Sequence, residues 1–184
     1  MAFSNQHLNA DLVASYSYGK KYLNSISIAG GKSVFQFNNA NPVDPRANTF
    51  ASLYYTRNFL KIYEAWFANA TYNAGFGDGF SWSLSLRYQD RMPIENTTNY
   101  KWRIYKQRSF TPNYPTELLS ENFKRHQAFT IITGISWQPG SKYIELPDRK
   151  ISLGSKYPVF TLGYTQAFQN IFGSDVKYSK CALE

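Results

Sequence analysis

The stretch Phe80-Ser81-Trp82-Ser83-Leu84-Ser85-Leu86-Arg87-Tyr88-Gln89-Asp90-Arg91 decides the fold class. Phe80, Trp82, Leu84, Leu86 and Tyr88 fall on one parity; Ser81, Ser83, Ser85, Arg87 and Gln89 fall on the other. Strand side chains alternate between two faces, whereas a helix would scatter both sets around its circumference, so the stretch is extended. In a soluble sandwich the apolar face would be the core. In a transmembrane barrel it meets lipid, and the polar face lines the lumen. A tilted strand crosses a bilayer in ~9–11 residues. Phe80 and Tyr88 at the two ends of the apolar parity, with Trp82 near one of them, match the aromatic girdles of a barrel.

The same alternation recurs outward from this strand. Upstream, Gly75-Phe76-Gly77-Asp78-Gly79 supplies the positive φ angles of a tight turn, so Ile62 to Arg91 reads as a β-hairpin. His7 to Tyr18 alternates, with Leu8, Ala10, Leu12, Ala14, Tyr16 and Tyr18 on one face. In Gln127 to Gln138, Phe129, Ile131, Ile135 and Trp137 oppose Ala128, Thr130, Gly134 and Ser136. In Tyr157 to Phe168, Phe160, Leu162 and Tyr164 oppose Thr161, Gly163 and Thr165. Leu23 to Phe37 reads as a strand broken at Gly30-Gly31 by a bulge or bend. Thr49 to Arg57 reads as a strand with aromatic residues on both parities, and Val176 to Glu184 as a strand cut at its start.

Between these runs, Asn38 to Asn48 is a loop of Asn-Asn, Asn-Pro and Asp-Pro pairs. Met92 to Arg125 is the least regular part, with a short strand expected at Tyr100 to Tyr105. A charged connection follows Pro139-Gly140. The pattern predicts an all-β fold of roughly seven or eight strands with no amphipathic helix between them.

Composition narrows the class. Hydrophobic residues make up 43% of 184 residues, yet mean hydropathy is −0.45, and no run of ~18 apolar residues exists to cross a bilayer as a helix. Aromatic residues reach 18% (15 Tyr, 14 Phe, 4 Trp), and amphipathic rings favour membrane interfaces. The net charge of +8 sits mostly in apparent turns: Lys20-Lys21, Arg57, Arg103 to Arg108, Lys124-Arg125, Lys142, Arg149-Lys150. A nucleic-acid surface would gather such charge on one face, so no nucleic-acid partner is expected. Anionic lipid headgroups or a lumen field account for it.

Cys181 is the only cysteine, which excludes an intrachain disulfide and a multi-cysteine metal site. His7 and His126 are far apart in the chain, each flanking a strand, with no paired carboxylate or nucleophile motif. Gly-x-Ser-x-Gly is absent. An enzyme is therefore not expected, and neither catalytic residues, cofactors nor metals are assigned. Asn96-Thr97-Thr98 matches a glycosylation acceptor.

Several longer motifs carry a resemblance. They are Trp137-Gln-Pro-Gly-Ser-Lys-Tyr-Ile-Glu-Leu-Pro-Asp-Arg-Lys-Ile-Ser-Leu-Gly-Ser-Lys-Tyr-Pro158, Asn96-Thr-Thr-Asn-Tyr100, Phe110-Thr-Pro-Asn-Tyr-Pro115, Arg57-Asn-Phe-Leu-Lys-Ile-Tyr-Glu64 and Gly173-Ser-Asp-Val-Lys-Tyr178. Across roughly Asn48 to Tyr178 the chain resembles the DUF5686 family of Bacteroidetes outer-membrane proteins. That resemblance implies a C-terminal membrane β-barrel, joined in the family to a carboxypeptidase-regulatory-like sandwich. The barrel is distantly similar to those of the outer-membrane assembly proteins, which implies work on membrane-protein insertion or transport.

The expectation is an antiparallel transmembrane β-barrel in a bacterial outer membrane, with residues 1–184 forming a single barrel segment truncated at both ends. The start, Met1-Ala-Phe-Ser-Asn-Gln-His7, has neither a basic n-region nor an apolar h-region, so the chain is expected to be a fragment. Its role is structural, transport or membrane-protein assembly; the alternative is a soluble β-sandwich binding glycans or protein partners. Lipid-facing residues are Phe80, Trp82, Leu84, Leu86, Tyr88, Phe129, Ile131, Ile135, Trp137, Phe160, Leu162 and Tyr164. Arg87, Asp90, Arg91, Asp148, Arg149 and Lys150 are candidate lumen or rim charges. Expected partners are the lipid bilayer with lipopolysaccharide-type headgroups, and proteins at the 92–125 loop.

Overall fold

The structure is a computed structural model that describes residues 8–19, 24–38, 41–96, 100–103, 109–115, 123–147 and 150–183, with the side chain of Lys150 excepted. In chain order the elements are β1 (Ala10–Tyr18), β2 (Asn24–Gln36), α1 (Pro45–Tyr55), β3 (Ile62–Gly77), β4 (Phe80–Pro93), β5 (His126–Trp137), β6 (Lys142–Glu145), β7 (Lys150–Gly154), β8 (Phe160–Ala167) and β9 (Tyr178–Leu183). Seven strands form one sheet in the order β1-β2-β3-β4-β5-β8-β9; β6 and β7 pair apart from it. Each strand of the large sheet lies beside its neighbour in the chain, with the β6–β7 ribbon inserted between β5 and β8. The fold is all-β, mostly antiparallel. Its large sheet is open, with β1 and β9 at the edges, and does not close into a barrel.

The expected hairpin forms through a two-residue turn. Asp78 (φ 49°) and Gly79 (φ 73°) both take positive φ. Such angles match the right-handed twist of the flanking strands. Register then aligns the apolar parities: Trp137 opposes Phe160, Ile135 opposes Leu162 and Thr133 opposes Tyr164. The next pairing continues it, with Leu162 against Leu183 and Tyr164 against Cys181. Because side chains repeat every two residues, these partners share one face of the sheet.

Three local expectations are corrected. Thr49 to Arg57 is not a strand: Pro45–Tyr55 is helical. The Asp44 side chain accepts from the Arg46 N–H at 3.0 Å, and Pro45 stands where its missing N–H leaves no bond unmade. Thr56, in the left-handed conformation, ends the helix by donating its N–H to the Ser52 carbonyl at 3.1 Å. The Asp-Pro pair, taken as loop chemistry, is a helix start. The charged connection holds the β6–β7 ribbon, with Ile144 opposite Ile151 and Glu145 opposite Lys150. Residues 100–103 form no strand, and 104–108 lie outside the described residues.

The chain divides into two compact units. One comprises the described residues within Met1–Ala10, Lys32–Trp66 and Asp90–His126. There the rings of Phe35 and Phe37 lie 5.8 and 4.9 Å from buried Tyr63, and Phe123 packs edge-on against Phe37 at 5.0 Å. Buried Asn113 ties the irregular connection down: it accepts from Asn58 Nδ2 at 2.7 Å and donates to the Ile94 carbonyl at 3.1 Å. The other unit comprises the described residues within Asp11–Gly31, Phe67–Gln89 and Gln127–Glu184. Among these described residues the buried apolar ones are Ala74, Ala128 and Ala167.

Candidate functional site

In this second unit the two faces of the sheet differ in chemistry. On one face Ser85 Oγ donates to Asn69 Oδ1 at 2.8 Å and lies 3.1 Å from Thr71 Oγ1. Asn73 Nδ2 donates to Ser25 Oγ at 3.2 Å. Ser83 lies on the same parity of β4 as Ser85, and a Cβ added to Gly134 would approach its Oγ at 2.9 Å. Hydroxyls and carboxamides thus bond sideways along the sheet. A shallow hollow there is lined in part by Asn73, Ser81, Ser83, Ser136 and Thr161.

The opposite face carries the twelve residues expected to face lipid, and none of them is buried. Leu86, Ile135, Trp137, Phe160, Leu162 and Tyr164 are exposed, and Phe80, Trp82, Leu84, Tyr88, Phe129 and Ile131 are half-buried. Several polar atoms on this face are bonded within the sheet. Trp82 Nε1 donates to Thr133 Oγ1 at 2.8 Å, and Thr133 Oγ1 donates to the Ser83 carbonyl at 3.0 Å. Tyr18 donates to the Tyr72 hydroxyl at 3.1 Å, and Tyr164 to Gln166 Oε1 at 2.8 Å. Sequence reasoning missed Thr133. Its parity with Ile131 and Ile135 was legible, but its role as acceptor for an indole depends on cross-strand register.

The expected charges distribute differently. Arg87 is half-buried on the parity of Ser83 and Ser85. Asp90 and Arg91 belong to the first unit, where buried Asp90 accepts from Arg125 Nε at 3.0 Å and again from Nη2. The Arg91 guanidinium lies 5.2 Å from the centre of the Tyr63 ring. In the same unit the ammonium of Lys32 is 3.0 Å from the buried carboxylate of Glu64, a pair that parity gave no reason to expect. Asp148 and Arg149 lie outside the described residues, as does the side chain of Lys150.

No catalytic grouping emerges among the described residues. His126 Nδ1 is 3.0 Å from the Lys124 carbonyl and its ring packs on Phe123 at 5.0 Å, so it serves packing; His7 lies outside the described residues. Cys181 is free and exposed. No set of three His, Cys, Asp or Glu residues that could hold a metal occurs among the described residues. None of their helices is long and apolar enough to cross a membrane.

Comparison with protein families matches residues 2–184 to the C-terminal domain of a family of unknown function, DUF5686. The chain belongs to that family. Comparison with curated proteins and with solved structures returns no match. The geometry of this DUF5686 C-terminal domain is therefore the ground for any functional reading.

Proposed function

We propose that this DUF5686 domain is a segment of a bacterial outer-membrane β-barrel, with a structural, transport or membrane-protein-assembly role and no enzymatic chemistry. One observation carries the reading. The apolar parities of β4, β5 and β8 align on a sheet face where none of their large residues is buried. A water-soluble domain covers such a face with a second layer, since each large apolar side chain gains ~1.5–3 kcal/mol on burial. Here the buried apolar set among the described residues of the same unit is three alanines. The sideways satisfaction of Trp82 and Thr133 suits a surround without water, where an unpaired donor is costly. Neighbour-to-neighbour strand order is the connectivity of membrane barrels. An open edge is not viable in lipid, so the reading requires further strands to pair with β1 and β9.

The test places a polarity-sensitive dye on a cysteine at position 84 or 85 of the full-length protein carrying Cys181→Ser, reconstituted in vesicles with lipid-borne quenchers. Quenching at 84 and not at 85 is expected. Absence of quenching at both positions in folded protein overturns the barrel and favours the soluble sandwich.

A further inference from the structure

Helix α1 is anomalous in its own unit. A helix of eleven residues is marginal unless it buries an apolar face, yet none of its residues is buried. Phe50 is 52% exposed, and Tyr54 and Tyr55 are exposed beside it. Phe50 stacks on Tyr54 at 5.2 Å, and Trp102, itself 59% exposed, meets Tyr54 edge-on at 6.0 Å. The Trp102 N–H donates to the Leu53 carbonyl at 3.0 Å, fixing the 100–103 segment to the helix. Arg46, Phe50 and Tyr54 follow at intervals of four and so form one stripe.

What covers these rings is indicated by charge and by hydrogen-bonding capacity. Across 44–60 and 100–103 the charged residues are Arg46, Arg57, Lys101 and Arg103 against Asp44 alone, and the Asp44 carboxylate already caps the helix. Arg57 and Lys61 also line a hollow with Asn58, Phe59 and Thr111. The surface therefore suits an anionic occupant. Its short polar side chains are occupied locally. Thr49 Oγ1 donates to the Pro45 carbonyl at 2.8 Å and Ser52 Oγ to the Arg57 carbonyl at 3.2 Å. Asn48 accepts from the N–H groups of Phe59 and Leu60 and donates to Asn58. Little remains to read the hydroxyls of a sugar; Lys61 donates to Thr111 Oγ1 and the Pro112 carbonyl, and the rings with the guanidinium groups of Arg46 and Arg57 are what the surface presents. An amphiphile with an acidic headgroup satisfies both, because rings favour the headgroup–acyl boundary and cations the phosphates.

We propose that α1 and the docked 100–103 segment form an interfacial anchor that lies in the acidic headgroup layer of the bilayer. This rests on the barrel reading above. The test uses full-length protein with Cys181→Ser and a dye on a cysteine at position 50, in vesicles of phosphatidylglycerol and phosphatidylcholine or of phosphatidylcholine alone. A dye at position 84 is the control. Shallow lipid quenchers are expected to quench position 50 several-fold more than deep ones, with the reverse at 84. Replacing Arg46 and Arg57 by Gln should weaken quenching at 50 in the acidic vesicles only. Quenching at 84 with none at 50 overturns the anchor and leaves the barrel standing. Quenching at 50 with none at 84, or at neither, overturns the barrel and with it the anchor that rests on it. Equal quenching in both vesicles, unchanged by the Gln variants, overturns the acidic-headgroup assignment. A dye at 50 that ignores lipid but responds to soluble oligosaccharide overturns it in favour of a glycan platform.

Discussion

Gly79 is the residue on which the β3–β4 hairpin depends most directly. Its φ of 73° disfavours any side chain, and an added Cβ would overlap the carbonyl oxygen of Gln138. The Gln138 N–H donates to the Gly79 carbonyl at 2.9 Å, and the Gly79 N–H donates to the Tyr143 hydroxyl at 2.9 Å, so the turn cannot shift without losing both. Gly79→Ala should therefore destabilise by more than the ~1–2 kcal/mol of left-handed backbone alone. Asp78→Gly at the neighbouring positive φ should be neutral or slightly stabilising. Urea unfolding in detergent, compared across the two variants, checks the contrast; equal effects would mean that the overlap with Gln138 is relieved at no cost.

At the level of elements, β4 separates two chemistries by parity alone, and that separation predicts an unusual order of severity. Deleting Ser85 would carry every residue on one side of the gap to the opposite face, bringing Leu86 and Tyr88 onto the side of Ser83. Deleting Leu84 and Ser85 together removes more of the chain and restores the alternation. The single deletion should abolish protease-resistant, heat-modifiable protein on gels, while the double deletion retains a substantial fraction. The reverse order would show that parity is not what fixes β4. The same property made the strands legible. Period two is written residue by residue, and the apolar parities of β4, β5 and β8 could be read without a structure. The helix α1 was not legible, because Phe50 and Tyr54 make only one pair at helical spacing, Tyr55 puts an aromatic on the other strand parity, and the start signal was a cap, Asp44-Pro45, that also starts turns. Nor was the β6–β7 ribbon, whose apolar Tyr143, Ile144, Ile151 and Leu153 are divided by Pro147 and by charges. The pairs Asp90–Arg125, Lys32–Glu64 and Trp82–Thr133 depend on which strands meet and in what register, which one sequence does not contain.

For the molecule as a whole, the tight Asp78-Gly79 turn and the longest connection, 94–125, leave opposite ends of β4, whereas the 138–159 connection starts beside the turn, where the Gln138 N–H meets the Gly79 carbonyl. Barrels keep short turns in the periplasm and long connections outside the cell. If the domain is the barrel proposed above, cysteines replacing Asp78 and Glu95, both exposed, should then differ toward a membrane-impermeant maleimide. Position 95 should label on intact cells, and position 78 only after the outer membrane is opened; the opposite pattern reverses the orientation. The spacing of the connections also sets a timetable. Closing a chain segment costs entropy that grows with its length, so short closures form first. β1 meets β2 across residues 19–23, β3 meets β4 across 78–79, and β8 meets β9 across 168–177. Only β5 is bounded by long connections on both sides, 94–125 and 138–159. It is therefore expected to be the last interior strand stitched between existing ribbons, so that substitutions on β5 speed the loss of the finished sheet more than they slow its formation.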